Sequence, residues 1–243
     1  MGRGVGKVTV GGSVGGWLLT APEQPEIISE ASRPAAYVSD ARGNTPALYR
    51  YSSTPYNDMV MVNRLYTRTG DDGFTNLLGE GRVAKYMPQP EAYGTVDESS
   101  AAIGIARAAA QSERTRALLL TAQRDLYHLM AELAATQQAA PQFRKIDAQR
   151  VAWLEEQTDA ITALIQLPKE FVVPGDSLPG AYLDLARTVV RRAERLVVHL
   201  VHDGLVENVE LVRYLNRLSS LLFVLSLYEN ALAGVSNVTL AKG

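Results

Sequence analysis

Apolar positions change their spacing near residue 93. From there almost to the end they recur at three- and four-residue intervals, the period that lays an apolar stripe along one face of an α-helix. Thr95-Val96-Asp97-Glu98 has the Thr-x-x-Glu form of a capping box and predicts a helix start at that point. Further helices are predicted over Glu113 to Gln138, Asp147 to Ile165, Leu178 to His202 and Asn208 to Leu232. Pro141, Pro168 with Pro174-Gly175, and Asp203-Gly204 separate them. Five helices with short connections predict an all-α fold, a five-helix up-and-down bundle over residues 63–243.

Before residue 60 the helical period is missing, and Gly and Pro are frequent. Lys7-Val8-Thr9-Val10 and Ala47-Leu48-Tyr49-Arg50-Tyr51 alternate as short strands or extended arm, and Arg42-Gly43-Asn44-Thr45 suits a hairpin turn. Residues 1–62 are therefore expected to form an irregular or partly β extension, either draped on the surface or linking subunits into a higher assembly. Residues 64–92 are expected to be a polar, Gly-rich connection.

Composition narrows the chemistry. The 243 residues carry a formal net charge of −2, with a pI near 6.0, which supplies no global attraction for nucleic acid or an anionic membrane surface. The longest apolar run, Leu221 to Leu227 with Ser226 inside it, falls far short of the roughly 18 to 20 residues of a membrane span. Neither a membrane nor a nucleic-acid partner is expected. Glycines interrupt the start of the chain where an export signal would need an apolar core, so a cytoplasmic location is the default expectation. Cysteine is absent, which removes disulfides, thiol nucleophiles and thiolate metal sites. The three histidines, His128, His199 and His202, do not form the helical zinc-protease spacing.

Three segments remain as candidate chemistry. Thr67-Arg68-Thr69-Gly70-Asp71-Asp72-Gly73-Phe74-Thr75 combines glycines that admit close backbone approach, hydroxyls and a guanidinium for phosphate oxygens, and acids suited to magnesium. Read by composition it is a phosphate loop or a solvated turn, and it is not a Walker loop, since no Gly-Lys-Ser/Thr follows. Arg187, Arg191 and Arg195 recur every four residues and line one helical stripe, with Glu194 beside them. Such a row needs anions, either carboxylates at a subunit interface or a polyphosphate. Arg213, Asn216, Arg217 and Ser220 lie near one face of the last helix.

Taken together the chain from about residue 64 to 242 resembles the trimeric helical-bundle family of ATP:corrinoid adenosyltransferases. The matching blocks are Tyr66 to Gly73, Gly81-Arg82-Val83-Ala84-Lys85, Glu91 to Glu98, Phe171-Val172-Val173-Pro174-Gly175, Arg187 to Arg195 and Tyr214-Leu215-Asn216-Arg217-Leu218-Ser219. The resemblance implies a left-handed five-helix bundle that trimerises, binds ATP between subunits with cobalamin beside it, and moves the 5′-deoxyadenosyl group of ATP to cob(I)alamin with release of triphosphate. The nucleophile is then the reduced cobalt of the substrate, so no Cys, His or Ser nucleophile is required.

Carried over by resemblance, Thr67, Arg68, Thr69, Gly70, Asp71, Gly73 and Thr75 wrap the phosphates. Lys85 adds a cation, and Asp71 or Asp72 stands near Mg2+. Arg191, Glu194 and Asn216 contact ATP, and Arg187 pairs with Asp97 across the subunit boundary. Phe171 covers the lower face of the corrin and displaces the nucleotide-tail ligand, which makes cobalt(II) easier to reduce. Phe171, Arg191 and Asn216 are the expected catalytic positions. A cobalamin reductase and an adenosylcobalamin-dependent enzyme are the expected protein partners. The chain departs from the family pattern at Ser99-Ser100-Ala101, at Ser220 where a carboxylate is usual, and at Asp176 where a glycine is usual. Those departures leave an alternative: an inactive bundle with a structural or assembly role, its N-terminal arm linking subunits.

Overall fold

The computed structural model describes residues 66–242, of which 69–242 belong to one compact unit. The strands and turn expected between Lys7 and Tyr51 lie outside the described residues. A two-stranded hairpin, β1 (Phe74–Asn76) and β2 (Arg82–Ala84), precedes the helices α1 (Pro88–Ala109), α2 (Glu113–Leu133), a single-turn α3 (Ala140–Phe143), α4 (Ala148–Thr162), α5 (Leu178–His202) and α6 (Glu210–Leu232). The expected five-helix bundle is present, with α5 packed between α1 and α6, α2 against α1, and α4 against α6.

Helix α5 shows why the bundle holds. Leu183, Ala186, Val190, Ala193, Val197 and Leu200 follow one another at three- and four-residue steps, and all are fully buried. Opposite them α6 buries Leu211, Tyr214, Leu215, Leu218, Leu221, Leu222 and Leu225. Each such Leu or Val contributes about 1.5–3 kcal/mol against an exposed position. Ser177 caps α5 by accepting a hydrogen bond from the Gly180 amide at 3.1 Å, and Pro179 occupies its first turn, where a missing N–H costs nothing.

Four boundaries differ from the periodic pattern. Helix α1 begins at Pro88, well before the capping box at Thr95, because Pro88 and Pro90 preset the first turn. Thr95 is buried inside the helix, and its hydroxyl donates to the Glu91 carbonyl at 2.9 Å instead of capping. The expected connection over 64–92 therefore contains both a hairpin and the first residues of α1. Helix α2 stops at Leu133, not Gln138, because the Thr136 amide and the Ala134 carbonyl turn outward to bond Leu78 at 2.9 and 2.8 Å. Helix α4 ends at Thr162, not Ile165, and α6 begins at Glu210, not Asn208, whose side chain instead accepts from the Glu210 amide at 3.1 Å.

Two buried acids tie the helices together, while Thr115 Oγ1, Gln123 Oε1 and Arg150 Nε stay buried without a hydrogen-bond partner among the described residues. Glu229, fully buried on α6, accepts from the amides of Gln111 and Ser112 at 2.7 and 3.2 Å and so fixes the α1–α2 turn. Asp125 on α2 accepts from the Tyr214 hydroxyl at 2.7 Å and pairs with Arg150 of α4, whose guanidinium also lies 4.4 Å from the Trp153 ring centroid. Burial, then the neighbouring Asp125 carboxylate, pushes the Tyr214 phenol well above its ordinary range. Among the described residues no helix is long and apolar enough to cross a membrane.

Candidate functional site

Hairpin β1–β2 is antiparallel, pairing Phe74 with Ala84, Thr75 with Val83 and Asn76 with Arg82. Strands of three residues need outside support. The tip gains it from the end of α2 through the Leu78 bonds to Ala134 and Thr136. The open end gains it from side chains. Arg82 forks onto Asp72, donating to its two carboxylate oxygens at 3.0 and 2.9 Å, and donates again to the Thr69 carbonyl at 2.8 Å. Lys85 Nζ donates to the Gly70 carbonyl at 2.7 Å, and the Lys85 amide to the Gly73 carbonyl at 2.9 Å. Loop 69–73 is thus clipped at both sides.

The glycines have separate tasks. Gly73 adopts φ 83°, the left-handed region that a side chain resists. At Gly70 a Cβ would lie 2.9 Å from Lys85 Nζ, so glycine leaves room for the lysine contact. Arg68 also adopts a positive φ of 63°, with its guanidinium 5.4 Å from the Tyr66 ring centroid. Thr67 and Arg68 are exposed, as are Thr69, Asp71 and Gly73, while Thr75 is half-buried on β1.

The two acids differ in state. Hydrogen bonding from Arg82, reinforced by the Phe74 amide at 3.2 Å, holds the Asp72 carboxyl below the usual carboxylate range. Asp72 is therefore committed to the clip. Asp71 is exposed and carries no such pair among the described residues, which leaves it as the acid available to a ligand. Arg82 is the side chain that sequence reasoning passed over: it lay inside a matching block, but only the fold brings its guanidinium onto Asp72 and the Thr69 carbonyl.

On the helices, α5 and α6 bring Glu194 and Asn216 together. Each follows a fully buried residue, Ala193 and Leu215, so both sit at the rim of the α5–α6 seam. Asn216 Nδ2 donates to Glu194 Oε1 at 2.8 Å. Arg217 donates to Asn216 Oδ1 and to Glu155 of α4, both at 2.7 Å, fixing the amide's orientation. Arg191 is exposed one helical turn before Arg195, which donates to the Arg191 carbonyl at 3.0 Å. The arginine row thus divides. Arg187 donates to Asp184 of its own helix at 3.0 Å and lies 5.9 Å from the Phe223 ring centroid, Arg192 pairs with Glu98 of α1, and Arg191 presents its guanidinium to solvent. Asp97 is exposed on α1 without an ion-pair partner among the described residues.

The serines at the departures bond within the helices that carry them or to a neighbouring helix. Ser99 is buried and donates to the Thr95 carbonyl at 2.8 Å, and the Ser100 carbonyl accepts from Gln123 at 2.9 Å. Ser220 is exposed, its hydroxyl 3.5 Å from the Asn216 carbonyl of its own helix. Phe171 stands 88% exposed on the loop between α4 and α5, an apolar side chain held out to solvent by its backbone.

The described residues thus form a helical bundle with a clipped Gly- and Thr-rich loop, a cationic face on α5 and an exposed aromatic on the α4–α5 loop. The cobalamin adenosyltransferase family model matches residues 65–229, and the chain belongs to that family. It is 40% identical over 175 residues to the corrinoid adenosyltransferase PduO of Salmonella typhimurium, covering 72% of this chain and 52% of that protein. The corrinoid adenosyltransferase of Bacillus subtilis is 39% identical over 179 residues, covering 72% and 91%. The chain therefore spans about half the length of the PduO relative and nearly the whole of the B. subtilis one. A solved phenylalanine-to-alanine variant of a PduO-type ATP:corrinoid adenosyltransferase from Lactobacillus reuteri, complexed with cobalamin and ATP, superposes with a TM-score of 0.69 at 30% identity, covering 74% of this chain and 100% of that one.

Proposed function

We propose that this chain transfers the 5′-deoxyadenosyl group of ATP to a reduced corrinoid and releases triphosphate. The observation that carries this reading is the clip of Arg82 on Asp72 and Thr69 and of Lys85 on Gly70, which holds loop 69–73 in one shape for phosphate oxygens. In the displacement, the cobalt electron pair of the substrate forms a bond to C5′ of ATP. The C5′–O bond breaks, its electrons leave with the triphosphate, and no proton must move. The work of the protein is positioning and charge.

Thr67, Arg68, Thr69, Gly70, Gly73 and Thr75 bind the phosphates, and Lys85 adds its remaining ammonium protons. Arg191, Glu194 and Asn216 hold ATP, with Arg217 setting the Asn216 amide. Asp71 fits magnesium: a single exposed carboxylate suits an ion that draws its other ligands from phosphate oxygens and water. Bound there, magnesium would neutralise phosphate charge. Phe171 covers the lower corrin face. The subunits assemble as a homotrimer with ATP at each boundary, where Arg187 meets Asp97 of a neighbour, and residues 63–243 form this bundle while 1–62 form an arm. The reaction belongs in the cytoplasm, beside a cobalamin reductase and an enzyme that consumes adenosylcobalamin.

Equilibrium binding of ATP with magnesium tests the helix half of the site. Arg191→Ala should weaken ATP about tenfold, as expected for loss of one guanidinium–phosphate contact. Unchanged affinity would remove Arg191 from the site.

A further inference from the structure

Phe171 is the aromatic residue on which the corrin end of the proposed reaction depends, yet almost nothing packs against it. At 88% exposure its ring cannot be positioned by burial, so its place is set by the backbone on either side. That backbone is held by the last residues described. After α6 ends at Leu232 the chain reverses at Gly234 (φ 84°) and returns to the α4–α5 loop. There Leu240 bridges Val172 in antiparallel fashion, the Ala241 amide donates to the Phe171 carbonyl at 2.8 Å, and the Val173 amide donates to the Thr239 carbonyl at 2.8 Å.

Two backbone bonds on an exposed ribbon are weak against water. A third group closes the arrangement. Asp176 accepts from Thr239 twice, from its amide at 2.9 Å and from its hydroxyl at 2.7 Å, so one carboxylate grips both polar donors of that residue. The turn that aims Asp176 back at Thr239 runs through Pro174 and Gly175, whose φ of 126° favours glycine. The next residue, Ser177, donates to Asn230 of α6 at 2.6 Å, anchoring the far end of the loop to the bundle.

From this closed circuit we infer that Asp176 and Thr239 are a positioning pair for Phe171: the carboxylate fastens the C-terminal segment 239–241, and that segment fastens the backbone that carries the ring. The inference rests on the adenosyltransferase reading and adds to it a second tether for the corrin end, remote from ATP.

The test uses the full chain with ATP, magnesium and cob(II)alamin, in Asp176→Ala, Thr239→Val and Thr239→Ser variants. Two readouts are taken: amide exchange at Val173 and Ala241, and the absorption and EPR signature that separates corrinoid with its nucleotide-tail ligand bound from corrinoid without it. Asp176→Ala and Thr239→Val should each speed exchange at both amides about tenfold. Each should return a matching share of the corrinoid to the tail-bound form, leaving ATP affinity unchanged. Thr239→Ser, which keeps the hydroxyl, should behave as the native chain, and the double variant should be no worse than either single one. Native exchange and a native corrinoid spectrum in both Asp176→Ala and Thr239→Val would overturn the pair alone. Faster exchange with an unaltered spectrum would make the contact structural and overturn the positioning role. A native chain whose corrinoid stays in the tail-bound form would overturn the positioning role together with the reading beneath it.

Discussion

Replacing Arg82 by alanine should raise the dissociation constant for ATP about a hundredfold while leaving the bundle folded. Arg82 makes three hydrogen bonds that hold loop 69–73 in one shape, two to Asp72 and one to the Thr69 carbonyl. Without them, the loop must be ordered at the moment ATP binds, at about 1 kcal/mol per residue. Two or three residues so freed account for roughly 2.7 kcal/mol, the equivalent of the hundredfold. Calorimetry on the variant should show weaker ATP binding, with turnover at saturating ATP much less affected. Arg82→Lys, which keeps the charge and loses the fork, should fall between the two. The same pair fixes an acid limit. Because Arg82 depresses the folded Asp72 carboxyl, the clip is complete above the unfolded value of about 4 and is lost as pH falls through the lower folded value. Arg82→Ala has no clip to lose, so the fall in its ATP affinity on acidification should lack this step.

The largest loss of stability is expected at Asp125→Ala. Asp125 joins three helices: its carboxylate pairs with Arg150 of α4 and accepts from the Tyr214 hydroxyl of α6 at 2.7 Å. Tyr214 is fully buried and Asp125 nearly so, and the truncation leaves a buried hydroxyl unpaired beside an uncompensated guanidinium. The cost should be about 3 kcal/mol, a fall of roughly 10 °C in Tm for a domain of this size. Tyr214→Phe keeps the ion pair and should cost far less. A Tm change of similar size in both would show that the hydroxyl, rather than the charge, governs the cluster.

How much of this was legible in the sequence depended on whether the deciding force was local. Helix α5 was fully legible, because Pro174-Gly175 and Asp203-Gly204 bracket it and its apolar residues hold one period throughout. The start of α1 was not. Thr-x-x-Glu describes a cap, but it equally describes an interior threonine bonded to the preceding turn and a glutamate facing Arg192 of another helix. The hairpin was hidden because its strands are three residues long and its tip is fixed by Leu78 against the end of α2, a tertiary contact.

The site divides in the same way. The Thr67–Thr75 loop and the arginine row stood out as chemistry in search of a ligand, and their joint meaning came from resemblance to a family. Arg82 was invisible until the fold of the hairpin brought its side chain onto Asp72 and the Thr69 carbonyl. Asp176 was legible as a departure from the family pattern, and only the return of Thr239 gives it a task.

Incubating the full chain with ATP, magnesium and chemically reduced cobalamin, and following the corrinoid spectrum and the phosphate products together, separates adenosyl transfer from a non-catalytic bundle. The prediction is adenosylcobalamin and triphosphate in equimolar amounts. Absence of both products would contradict it.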